Sequence, residues 1–267
     1  MENNIGSILT RRAELNADRE AYVDSQSGLR LTFKELNERT NQVAQMLLEL
    51  GVQKGDRVGI MMMNSAEFVE AYFAIAKIGG VVVPLNWRLV ADELEFILKD
   101  SGTTTLIFGD EFTDLVTDLH SRGEKTDIAN WLHSAAASES HFAKDYEALR
   151  NAASSDEPVC SVVDSDLLYI MYTSGTTGLP KGVVHSHETT LWALLTFQAT
   201  ADLHDGDRYL AALPMFHVGS LTPVTLNVYA GVTSIVMREF DPTRAWELFG
   251  EEKINKDRKS TRLNSSH

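Results

Sequence analysis

The sequence predicts an α/β protein whose helices pack on mainly parallel sheets. Three observations carry that expectation. Short apolar runs with strand character ("DRVGIMMM", "VVVPL", "TTLIFG") alternate with segments whose apolar residues recur at helical spacing. Strand, helix, strand, helix and strand at this spacing imply parallel neighbours joined by right-handed crossovers. The same alternation resumes after a less regular stretch, in "DLLYIMY", "RYLAALP" and "VTSIVM".

Thr32 and Glu35 form a capping-box pattern that starts a helix, with Phe33, Leu36, Val43, Leu47 and Leu50 on its apolar face and Gly51 closing it. "DRVGIMMM" reads as a strand, and Asn64 is expected to cap the helix of "SAEFVEAYFAIAKIGG". "VVVPL" is a buried strand, "ADELEFILKDSG" a helix with Leu94, Ile97 and Leu98 on one face, and "TTLIFG" a further strand. Between Asp110 and Pro158 small and polar residues mix, which predicts one or two surface helices and a loop. "DLLYIMY" is a strand that leads into "YTSGTTGLPKG", after which "VVHSHETTLWALLTFQATADL" is expected to be helical. "MFHVGSLTPVTLNVYAG" reads as a loop and a helix, and Asp241 with Pro242 starts the last helix as N-cap and first helical residue. The expected organisation is a first α/β part over 1–160, a second over 161–255, and a tail over 256–267.

Composition narrows the function. Of 267 residues 43% are hydrophobic, enough for a sizeable core, and the formal net charge is −14. Such a balance argues against nucleic acid, which needs a basic face. The single cysteine, Cys160, forms no intrachain disulfide, and it lies in a polar stretch that does not mark a nucleophile. One cysteine fits a reducing compartment, so a cytoplasmic location is expected. The N-terminus lacks the pattern of a signal peptide. The longest apolar stretch, "FVEAYFAIAKIGGVVVPL", is interrupted by Glu70, Lys77, Gly79, Gly80 and Pro84, so it is not read as a membrane span. The tail "KDRKSTRLNSSH" carries four basic residues, one acid and one large apolar residue, Leu263. It reads as a segment that does not pack and is foreign to the rest, or alternatively as a native basic tail.

"YTSGTTGLPKG", Tyr172 to Gly182, carries the chemistry. A polyphosphate needs close donors. Gly175, Gly178 and Gly182 let backbone N–H groups turn inward, Thr173, Ser174, Thr176 and Thr177 add hydroxyls, and Lys181 adds a mobile charge. It is not the common nucleotide P-loop, because Lys181 follows Pro180 and no Ser or Thr follows it. A flexible surface loop is the alternative. "HSHE", His185 to Glu188, lacks metal-ligand spacing, and no metal ligand is assigned.

The eleven residues resemble the phosphate-binding signature of the adenylate-forming superfamily, which includes acyl-CoA synthetases and the adenylation domains of peptide synthetases. "LTFKELNERTNQVAQMLLELGVQKGDRVGIMMMN", "VVVPLNWRLVADELEFIL" and "LPMFHVGS" resemble three more of its blocks, so the likeness runs from Ile5 to Ile254. It implies the N-terminal large domain of that fold, in two subdomains. It implies activation of a carboxylic acid, a fatty acid first of all, by ATP with Mg2+, and transfer of the acyl group to coenzyme A. On the matching positions Thr173, Ser174, Gly175, Thr176, Thr177, Gly178 and Lys181 would hold the phosphates. Lys181 and Thr176 would act on the leaving pyrophosphate, and His217 would shape the acyl pocket unless it is a packed loop histidine. Trp192, Phe197 and Phe216 would border that pocket or belong to the core. The family's later blocks have no counterpart here, so the chain is expected to be truncated, to expose a sheet edge and to be inactive alone. An amino-acid-activating domain and a non-catalytic nucleotide-binding module are the alternatives.

Overall fold

The computed structural model describes residues 4–135, 140–173 and 179–257. The chain begins with α1 (Ile5–Leu15), β1 (Glu20–Asp24), β2 (Arg30–Thr32) and α2 (Phe33–Glu49). Then come β3 (Arg57–Met61), α3 (Ala66–Lys77), β4 (Val81–Pro84), α4 (Ala91–Ser101) and β5 (Thr103–Gly109). α5 (Thr113–Ser121), β6 (Asn130–Ser134), β7 (Lys144–Asp145) and α6 (Tyr146–Ala152) lead to β8 (Leu167–Thr173) and β9 (Lys181–Ser186). The last elements are α7 (His187–Ala201), β10 (Arg208–Ala211), α8 (Val218–Ala230), β11 (Thr233–Val236), α9 (Pro242–Glu251) and β12 (Lys256–Asp257).

The strands form a seven-stranded sheet of order β7-β6-β5-β3-β4-β8-β9 and a five-stranded sheet of order β12-β10-β11-β1-β2. Each is parallel except for one pair, β8 with β9 and β1 with β2. A break at residue 160 therefore does not divide the sheets. Tyr169 pairs with Val82 in the first sheet, and Tyr22 pairs with Ser234 in the second. Backbone edges seek the nearest unpaired ladder, whatever the distance along the chain.

α3 lies in the core, and all its residues but Glu67 are buried. α1 crosses it so closely that a Cβ on Gly6 would stand 2.5 Å from the backbone nitrogen of Lys77. The helix is not apolar throughout. Buried Glu70 takes Arg39 at 2.5 Å and Arg150 at 3.2 Å, joining α2, α3 and α6. Buried Lys77 points its Nζ at Glu157 (2.6 Å), Thr10 (2.6 Å), Asn37 (2.8 Å) and Asn41 (2.8 Å). Burial raises the Glu70 pKa against the pull of its two arginines, and it lowers that of Lys77 against Glu157.

Three expectations are corrected. The cap of α3 is Ser65, whose hydroxyl accepts the Phe68 N–H at 3.2 Å, because the Asn64 side chain is engaged elsewhere. The segment after Pro180 is not helical at once. Residues 181–186 pair antiparallel with β8, as suits the β-branched Val183 and Val184, and Ser186 then caps α7. The stretch from 110 to 158 is more than surface helices and a loop. β6 joins the sheet beside β5 with Trp131, Leu132 and His133 buried.

Candidate functional site

Open α/β sheets bind ligands outside the carboxyl ends of their parallel strands. In the seven-stranded sheet β3, β4, β5 and β8 end together, at Met61, Pro84, Gly109 and Thr173. β10, β11 and β1 end together in the other sheet. One buried amide stitches these rims side by side. Asn64, just past β3, donates to the carbonyls of Leu213 (2.9 Å) and Met237 (3.0 Å), and its Oδ1 accepts the Met215 N–H (2.8 Å). Trp87 and Phe216 meet edge to face at 5.9 Å, and the Arg88 guanidinium lies 4.5 Å over Trp87 and 5.8 Å from Phe216. Beside them a cleft of about 680 Å³ opens, lined in part by Met63, Trp87, Phe112, Arg238 and Arg244.

The hairpin of β8 and β9 stands on the same rim. Tyr172 lies opposite Gly182, and Thr173 opposite Lys181. Opposed residues of an antiparallel pair project to one face. Thr173 and Lys181 thus share a face, and both are exposed. Met171 is on that face too, and its Sδ accepts the N–H of Val218 at 3.2 Å. This seats the start of α8, with its N-cap His217, against the face that carries Thr173 and Lys181. His217 is exposed rather than packed, and its side chain does not cap the helix. Ser174, Gly175, Thr176, Thr177 and Gly178 lie outside the described residues.

The three aromatic candidates do not converge. Phe216 is buried against Trp87, whereas Trp192 is 64% exposed and Phe197 39% exposed on α7. Neither is core. His185 stacks on Tyr169 with ring centroids 4.5 Å apart. His187 is buried, its Nδ1 accepts the Ile5 N–H at 3.0 Å, and burial pulls its pKa down to about 4. It is a neutral tie between α7 and α1. Cys160 hydrogen-bonds to the Ile78 carbonyl at 2.8 Å, and burial raises its thiol pKa, the opposite of an activated nucleophile. Among the described residues no group of three or more His, Cys, Asp or Glu is placed to hold a metal ion, and no helix is long and apolar enough to cross a membrane.

The pattern did not single out Asn64 as a stitch, nor Trp87, Arg88, Arg238 and Arg244 as rim residues. The available signal was position: "NWR" comes one residue after β4, past Leu85, and "MRE" directly after β11.

The family described as AMP-binding enzyme matches residues 9–256. A long-chain-fatty-acid–CoA ligase, FadD13 of Mycobacterium tuberculosis, is 40% identical over 252 residues, which are 94% of this chain and 48% of the relative. A 2-succinylbenzoate–CoA ligase of Geobacillus sp. is 35% identical over 93% of this chain and 46% of its own length. The solved N-terminal domain of FACL13 from Mycobacterium tuberculosis superimposes with a TM-score of 0.90 at 38% identity, covering 96% of this chain and 62% of that one. The chain spans about half the length of the curated relatives it matches.

Proposed function

The chain belongs to the AMP-binding enzyme family, and from that premise we propose that it serves ATP-dependent activation of a carboxylic acid, in the first place a fatty acid, followed by transfer to coenzyme A. A carboxylate oxygen attacks the α-phosphorus of ATP. The bond to the bridging oxygen breaks, giving an acyl-adenylate and pyrophosphate. The coenzyme A sulfur then attacks the acyl carbon, and AMP leaves.

The observation that supports this chain's part is the hairpin. It sets a hydroxyl, Thr173, directly opposite a lysine, Lys181, at the carboxyl ends of the parallel strands. With Ser174, Gly175, Thr176, Thr177 and Gly178 they would hold the β- and γ-phosphates. Thr176 and Lys181 would stabilise the charge that grows on departing pyrophosphate, where fixed donors act most strongly. Exposed His217, against the same face of β8, would border the acyl end. Mg2+ accompanies ATP in this reading. The described residues offer no ligand cluster for it, so no step here runs through the metal. A cytoplasmic location is part of the same proposal.

The test is acid-dependent ATP–pyrophosphate exchange in a protein of the relatives' length that carries this chain. Long-chain acids should support exchange. Lys181→Ala should slow adenylation by roughly 100-fold, more than it slows thiol transfer. Equal slowing of both half-reactions would reduce Lys181 to a fold-supporting residue.

A further inference from the structure

We infer that Tyr172 is a positioning residue for the polyphosphate-binding hairpin, acting through a tether to Asp100 on α4; this rests on the function proposed above. Tyr172 is the residue before Thr173, and it points to the opposite face of β8. It therefore faces away from Thr173 and Lys181. Its hydroxyl instead donates to the Asp100 carboxylate at 2.6 Å, across 72 residues of sequence. Burial of the phenol and the neighbouring Asp100 charge both raise the Tyr172 pKa, so the hydroxyl stays a donor.

Gly182 makes the tether possible. A Cβ there would stand 2.8 Å from Ile170 Cγ2 and 3.1 Å from the Tyr172 ring, so the ring lies across the bare Cα of its ladder partner. The ring needs that space to reach α4. Among the described residues β9 ends the seven-stranded sheet and is hydrogen-bonded on one side only. The Tyr172–Asp100 bond therefore gives the hairpin a lateral hold at the pair next to Thr173 and Lys181. With the base pinned, Lys181 keeps its place opposite Thr173. Without it, the last ladder pair can twist, and the ammonium pays part of the binding energy to be reordered. The glycine whose absent side chain helps phosphate motifs has a second use here. It accommodates an aromatic ring on the face away from the ligand.

Titration of inorganic pyrophosphate into the 267-residue protein by calorimetry tests this. Tyr172→Phe keeps the ring and removes the donor, and it should weaken binding about five- to tenfold. Asp100→Ala should match it, and the double variant should be no weaker than either single one. Asp100→Asn, whose amide oxygen still accepts, should restore most of the affinity. The unfolding midpoint should be unchanged in all four. Wild-type affinity in Tyr172→Phe, with affinity lost in Lys181→Ala, overturns the positioning role and leaves the proposed function standing. Additive single effects, or a fall in midpoint that tracks the fall in affinity, also overturn it. A wild-type protein that does not bind pyrophosphate overturns the positioning role, whereas the proposed function is decided separately by ATP–pyrophosphate exchange in the protein of the relatives' length.

Discussion

α3 and the β8–β9 hairpin use charge in opposite ways. α3 buries two charged residues, Glu70 and Lys77, and each is met inside the fold: Glu70 by Arg39 and Arg150, Lys77 by Glu157 and three neutral oxygens. The hairpin leaves Lys181 exposed. A buried charge that lacks its partners is expensive, so the interior fixes where those partners stand. An exposed charge has no such claim on the fold, and its place at the carboxyl ends of the strands is what suits it to a ligand. The lesson is that a lysine's surroundings distinguish architecture from function better than its presence in a motif.

The comparison breaks most visibly at Glu70. Glu70→Ala leaves Arg39 and Arg150 facing a buried void, and it should destabilise the protein by about 3–5 kcal/mol in urea unfolding. A loss below about 1 kcal/mol would mean the arginines rehydrate easily and the cluster is not structural.

His187 extends the contrast to a buried group that must stay neutral. Its pKa falls from 6.5 to about 4 on folding, so between those values the unfolded chain binds a proton that the folded chain does not. Stability is complete above pH 6.5 and is lost progressively as the pH falls toward 4, by about 3 kcal/mol. His187→Gln should flatten that part of the stability–pH curve. An unchanged slope would assign the acid sensitivity to other groups.

Lys77→Met is milder. It removes the ammonium but strands the oxygens of Asn37 and Asn41, while half-exposed Glu157 regains water. About 2 kcal/mol should be lost. A loss equal to that of Glu70→Ala would erase the distinction between an ion cluster and a lysine held largely by neutral acceptors.

Much of the fold was legible, and what was missed has physical reasons. The Thr32–Glu35 capping box and the Asp241–Pro242 start are local devices, and both appear as read. β9 was misread because Val183 and Val184 sit next to a good helix, and only the ladder with β8 decides their conformation. β6 was hidden by Asn130 and His133, polar residues in an otherwise strand-like run. The placing of β1 and β2 beside β11 is a long-range pairing that no local pattern encodes. At the site, Thr173, Lys181 and His217 were expected from the motif and its neighbour; the fold sets Thr173 opposite Lys181 and puts His217 at the start of α8, while their roles belong to the proposal. Asn64 was given a cap's role because its chemistry suits one, whereas its amide is drawn to backbone groups 149 and 173 residues away.

The most direct measurement is pyrophosphate affinity set beside unfolding stability for Lys181→Ala. The reading of Lys181 as ligand-facing predicts that affinity falls by tenfold or more while stability changes by less than about 0.5 kcal/mol. Unchanged affinity, or a loss of stability near that of Glu70→Ala, would place Lys181 with the architecture and contradict it.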